Sequence, residues 1–264
     1  MGIESYGLSV GSLPHGQRNS IADVADVKVG HSTIEDPGLG LHTGVTVVVP
    51  CKGPVFSTRP VAAAHSLNGF GKTCGTVQVA ELGYLETPIA LTGTMNVGRV
   101  ADALVENALR EEERAGHALP QSVNPVVGET NDGRISRIQA RPVGTKEVLA
   151  AIDNASKDFA HGAVGAGRGT VCFGLKGGIG SSSRLVEAAR ARDPPRNRRP
   201  RALRLLHGPR LGRHIPRLHD GAFDGHGRQC IARLRARAGR VARRVLPRLR
   251  GGDRGGGARL ARLG

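Results

Sequence analysis

The chain has 264 residues, 39% of them hydrophobic, which is enough for one sizeable core or two small ones. Its formal charge of +16 is unevenly placed: residues 1–190 hold 17 Lys and Arg against 18 Asp and Glu, whereas residues 191–264 hold 21 against 4. Composition therefore excludes a basic, nucleic-acid-binding body, and any anionic partner belongs to the last 74 residues alone. No apolar run approaches the ~20 residues of a membrane helix, and the opening MGIESYGLSV lacks the charged and apolar regions of a secretory signal. A soluble, cytoplasmic protein is expected. Cys51, Cys74, Cys172 and Cys230 show no metal-ligand spacing, so reduced thiols are expected, with no metal and no cofactor.

In chain order, IADVADVKVGHSTI (21–34) and TGVTVVVP (43–50) are rich in Val and Ile, are bounded by Gly, Asp and Pro, and predict strands. Residues 97–116 place Val97, Val100, Leu104 and Leu109 on a helical stripe and end at Gly116. The same period recurs more briefly over 146–159. GTVCFGL (169–175) predicts another strand, and SSSRLVEAAR (181–190) opens a further element. Such alternation predicts a mixed α/β layered domain over residues 1–190.

Two glycine-rich stretches invite a nucleotide reading, and both fail it. GAVGAGRGT (162–170) is followed by a strand-like run where the dinucleotide fingerprint needs a helix, so close backbone packing is the better reading. In GLKGGIGSSS (174–183), Lys176 precedes the glycines instead of closing them, which is the wrong order for a phosphate loop. A hairpin turn and a self-cutting bond remain open there. Glycines before a hydroxyl allow the strained backbone in which Oγ of Ser181 reaches the preceding carbonyl. Hydrolysis of the resulting ester would free Ser181 as a new N-terminus, whose amine, with an ordinary pKa of about 7.7–8.0, is a general base beside its own nucleophile.

Six stretches in order, IADVADVKVGHST, PVFSTRP, LTGTMNVGRVADALV, NPVVGETNDG, AVGAGRGT and LKGGIGSSSR, span roughly residues 20–190. Together they resemble the L-aminopeptidase/D-esterase and β-peptidyl aminopeptidase family of self-processing N-terminal-nucleophile hydrolases. The resemblance implies an αββα four-layer sandwich, cleavage between Gly180 and Ser181, and Ser181 as nucleophile. It also implies removal of N-terminal residues from small peptide, amide or ester substrates with a free amine, and a homo-oligomer is expected. Glu129 falls where that family anchors the substrate's amine, and Asn131 where some members carry a Tyr, so an amide there is a candidate oxyanion donor. Without the resemblance, Glu129 reads as a turn carboxylate, Asn131 as part of an Asn-Asp-Gly turn, and Asn154, a further oxyanion candidate, as a solvated helix position.

The chain departs from that pattern after about residue 190. Residues 191–264 contain no Ser, Thr, Lys or Glu, and every basic residue is Arg, a vocabulary that GC-rich DNA yields when translated out of frame. This predicts a frameshifted or disordered tail that disrupts the C-terminal part of the sandwich. The family's supporting Ser and Glu beyond the cleavage point are then missing, which puts the activity of this chain in doubt. The His, Asp and Cys residues between His214 and Cys230 match no zinc spacing. A competing reading is a non-catalytic α/β protein whose Arg-rich tail binds nucleic acid non-specifically.

Overall fold

The computed structural model describes residues 11–66 and 69–186 of the chain. The tail from 191 and its metal-like and basic motifs lie outside the described residues. Among the described residues no helix is long and apolar enough to cross a membrane.

The mixed α/β class is borne out. Strands β1 (Lys28–Asp36), β2 (Leu41–Val49), β3 (Ile89–Gly93) and β4 (Val126–Thr130) form one sheet in the order β1-β2-β3-β4. The first two pairings are antiparallel and β3-β4 is parallel. The helix α3 (Val97–Arg114) makes the crossover between the parallel strands, as parallel neighbours require. Beside it packs α4 (Thr145–Asp153), and α1 (Val55–Thr58) and α2 (Thr76–Leu82) complete the described helices.

Because successive strand residues face opposite sides, the Val run of β2 is split between two cores. Val45 and Val47 pack with Ala90 and Val127 against Val100, Leu104, Val148 and Ala151 of the α3–α4 layer. Val48 faces the other way and joins Val29, Ile89 and Val126 in a cluster with Ile21, Val79 and Leu85. On that second face, Leu91 meets Ala166 and Ile179. One helix layer and one sheet of a sandwich are thus in place.

Three expected elements change at their ends, each for a local reason. Ile21–Asp23 is a short 3-10 turn and not strand, because Ser20 caps it: Ala22 N–H donates to Ser20 Oγ (3.2 Å), and Ser20 N–H donates to the Asp23 carboxylate (3.2 Å). The predicted helix over 146–159 stops at Asp153 because the next residues turn to serve β1. Asn154 Oδ1 accepts from His31 N–H (3.1 Å), its Nδ2 donates to His31 O (2.8 Å), and Ser156 exchanges two backbone bonds with Val29. These groups occupy the outer edge of β1, which would otherwise expose unpaired amides. The predicted strand 169–175 is a hairpin, β5 (Val171–Cys172) with β6 (Leu175–Lys176), whose turn residues Phe173 and Gly174 both have positive φ, 53° and 79°.

Among the described glycines, Gly30, under α4, leaves the least room for a side chain: a Cβ there would lie 1.8 Å from the carbonyl oxygen of Ala151 and 2.6 Å from Asn154 Oδ1. Neither backbone can retreat without opening the β1–α4 contact. Gly30→Ala is expected to cost about 3 kcal/mol, read as a lowered urea midpoint with an unchanged m-value.

Candidate active site

The close-packing reading of residues 162–170 holds. The turn Gly165–Gly167 lies on the second face of the sheet, where Gly165 N–H donates to Thr33 Oγ1 (2.8 Å) and Ala166 N–H to Thr46 Oγ1 (3.2 Å). A Cβ at Gly165 would lie 2.4 Å from Thr46 Oγ1 and 2.7 Å from the carbonyl oxygen of Val45, so only glycine lets the turn come this close. Lys176 secures the other side of the loop. Its ammonium donates to the carbonyls of Gly167 (2.8 Å), Thr170 (3.3 Å) and Gly177 (2.6 Å). Burial, with the nearby charge of Arg168, lowers its pKa.

This scaffold delivers the Gly180–Ser181 junction to the sheet. Ile179 is buried against Leu91 and Ala166 and exchanges two 2.8 Å backbone bonds with Gly162. One residue later Gly180 is exposed, with nothing within 4 Å of the position a Cβ would take. Ser181 is half-buried; its Oγ accepts from Ile21 N–H at 2.7 Å and lies 3.4 Å from Ser20 Oγ. Gly180 and Ser181 line a small crevice of about 20 Å³, room for about one water, with Ile21, Val29, Thr46, Val48, Leu91, Phe159 and Ile179. The nucleophile candidate therefore borders an apolar hollow on the sheet's second face.

His31 lies behind that hollow. Its Nε2 must donate to the carbonyl of Ala160 (3.0 Å), which leaves Nδ1 to accept from Thr46 Oγ1 (2.9 Å), so the ring is neutral with its proton on Nε2. Burial lowers its pKa; the carbonyl of Ala160 opposes this and the charge of His161 adds to it. Burial lowers His161 as well. The unfolded chain therefore takes up more protons than the folded one below about pH 6.5. This contribution to stability is complete above that pH and is lost as pH falls through the depressed folded values. The thermal midpoint is expected to drop between pH 7.5 and pH 5, and His31→Gln to shrink the drop.

Glu129 is not a turn residue. It sits near the end of β4, 3% exposed, where Oε1 accepts from Lys72 N–H (3.2 Å) and Oε2 from the hydroxyl of Thr94. Both partners come from elsewhere in the chain, and both are donors. Asp132, three residues on, is 2% exposed; Oδ2 accepts from Thr43 Oγ1 (2.5 Å) while Oδ1 has no partner. Burial raises its pKa against the opposing Thr43 bond, and the charge of Glu129 raises it further.

Asn131 is exposed, and its Oδ1 accepts from Gly133 N–H (3.0 Å), the bond of an Asx turn. Asn154 has both ends of its amide on the backbone of His31. Among the described residues no hydrogen bond or ion pair joins Glu129 or Asn131 to Ser181. The parity of the strands agrees: Glu129 lies two residues after Val127 and so shares its face, toward the helices, whereas Ser181 lies against the opposite face.

The contacts that hold Ser181 were not foreseen, although one signal was visible. Ser20-x-x-Asp23 has the spacing of a capping box, which fixes the turn whose first amide meets Ser181 Oγ.

The model of Peptidase family S58 matches residues 19–193. Beta-peptidyl aminopeptidase BapA of Sphingosinicella microcystinivorans is 39% identical over 180 residues, 65% of this chain and 44% of that protein. Among solved structures, the Burkholderia sp. beta-aminopeptidase superposes with a TM-score of 0.64 at 38% identity, covering 70% of this chain and 52% of that one. The L-aminopeptidase D-Ala-esterase/amidase from Ochrobactrum anthropi, described as a prototype serine aminopeptidase and a variant of the Ntn hydrolase fold, gives 0.61 at 32%, covering 70% and 53%. The chain spans about half the length of these relatives.

Proposed function

Because the chain belongs to Peptidase family S58, we propose that it is an aminopeptidase that makes its own nucleophile by cutting the Gly180–Ser181 bond. The observation that carries this reading is the placement of Ser181, with Oγ fixed by Ile21 N–H beside an open glycine and an apolar crevice. In the first step Oγ attacks the Gly180 carbonyl carbon. The C–N bond breaks, the Ser181 nitrogen takes a proton, and an ester joins Gly180 to Ser181 Oγ. Water then hydrolyses that ester to leave a Gly180 carboxylate and a free serine.

In the second phase the Ser181 amine accepts the Oγ proton as Oγ attacks the substrate. The acyl-enzyme forms as the amine of the leaving residue takes that proton, and water or another amine resolves the ester. On the family pattern we assign Glu129, which already accepts from two donors, to the substrate's ammonium, a role that requires its carboxylate to come round from the helix side of the sheet to the Ser181 side. Asn131 is assigned to the oxyanion, which requires its amide to turn from the Asx bond. Small peptides, amides or esters with a free amine are the substrates, and assembly as a homo-oligomer in the cytoplasm is part of the same reading.

No observation favours the alternative of a non-catalytic body with a nucleic-acid-binding tail. Intact-mass measurement on the unmutated protein tests the proposal. Two species, ending at Gly180 and beginning at Ser181, are expected, and a single unsplit mass refutes self-processing in this chain.

A further inference from the structure

The junction at Ser181 hangs between two anchors of different kinds. On its N-terminal side Ile179 is tied to Gly162 by two 2.8 Å backbone bonds and a buried side chain. On its C-terminal side the chain lies along residues 14–23. Leu185 N–H donates to the carbonyl of Pro14 (2.8 Å), and Ser183 N–H and Arg184 Nη1 both donate to Asn19 Oδ1 (3.3 and 3.0 Å). Ser183 Oγ donates to Asp23 Oδ2 (2.5 Å), which the backbone amides of Arg18 and Ser20 also hold. These bonds keep the Asp23 carboxyl below its usual pKa despite the opposing effect of burial. Gly16 makes the room, since a Cβ there would lie 2.4 Å from Ser183 Oγ and 2.5 Å from Asp23 Oδ2.

Cutting Gly180–Ser181 removes the pull of the Ile179 anchor on Ser181 and leaves the other side intact. We propose that Pro14–Asp23 is the seat that keeps Ser181 in register after the cut, with Asn19 and Asp23 as positioning residues; this rests on the self-processing reading above. Neither residue touches the reacting atoms. Their effect on the nucleophile passes through Ser183, two residues away, and through the Ile21 amide that the same turn presents. The seat matters more after scission than before it, because only the uncut chain has both anchors.

The decisive measurement is hydrogen exchange in the uncut Ser181→Ala protein, which reads the seat whether or not the natural chain cuts itself. Adding Asn19→Ala and Asp23→Ala is expected to speed exchange at Ser183 and Leu185 at least about tenfold, and unchanged exchange overturns the seat. In the self-cut protein, Ser183→Ala is expected to lower kcat about tenfold with KM within about threefold, to slow scission less, and to be rescued by Ser183→Thr. Full turnover in cut Ser183→Ala also overturns the inference. An unmutated chain that never splits refutes the self-processing reading instead, while the exchange result still decides the seat.

Discussion

Ser181→Ala is expected to leave one unbroken chain of 264 residues and to lower aminopeptidase turnover by about 10⁴-fold or more. Two functions are lost with one oxygen. Without Oγ nothing attacks the Gly180 carbonyl, so the amine that would act as base is never released. The substitution deletes a hydroxyl that accepts one bond from Ile21 N–H, so it leaves the fold close to intact. Intact mass reads the first loss and hydrolysis of an amino-acid anilide the second. Ser181→Ala that still splits, or an unsplit protein with full turnover, would be incompatible with the mechanism. Ser181→Cys is expected to keep some scission, since a thiol can make the same acyl shift.

Glu129→Gln is expected to reduce kcat/KM for substrates with a free amine by about 100-fold, the equivalent of about 3 kcal/mol. The charge is the point of the experiment. Glu129 is 3% exposed and receives Lys72 N–H and the Thr94 hydroxyl, both donors. Gln keeps the shape but turns one acceptor into a donor facing a donor, with an expected stability cost of about 1 kcal/mol. The loss should fall mainly on KM, and the preference for a free amine over the N-acetylated substrate should collapse with it. An undiminished preference in a folded Gln variant would remove Glu129 from the amine site.

How far the sequence could be read depended on whether each element carried its own pattern. The helix α3 was legible because Val97, Val100 and Leu104 recur at helical spacing, and all three are buried. Strands β3 and β4 were not, because all five residues of each are buried and show no alternation to mark them. The ends of α4 and of the first predicted strand were misplaced because Asn154, Ser156 and the Ser20 cap answer to distant or local hydrogen bonds that propensity does not contain.

At the site, residue types and order were legible: the glycine run before Ser181, a carboxylate at 129 within VVGETNDG, and the break in composition after residue 190. These are properties of neighbouring letters, and short-range chemistry suffices to read them. Tertiary structure alone decided that Ile21 N–H meets Ser181 Oγ across 160 positions, that Asp23 receives Ser183, and that Asn154 serves the edge of β1. The reason is physical. A backbone amide has the same donor everywhere in the chain, and which acceptor it meets is set by how the sheet and its turns pack, a quantity no local window of sequence holds.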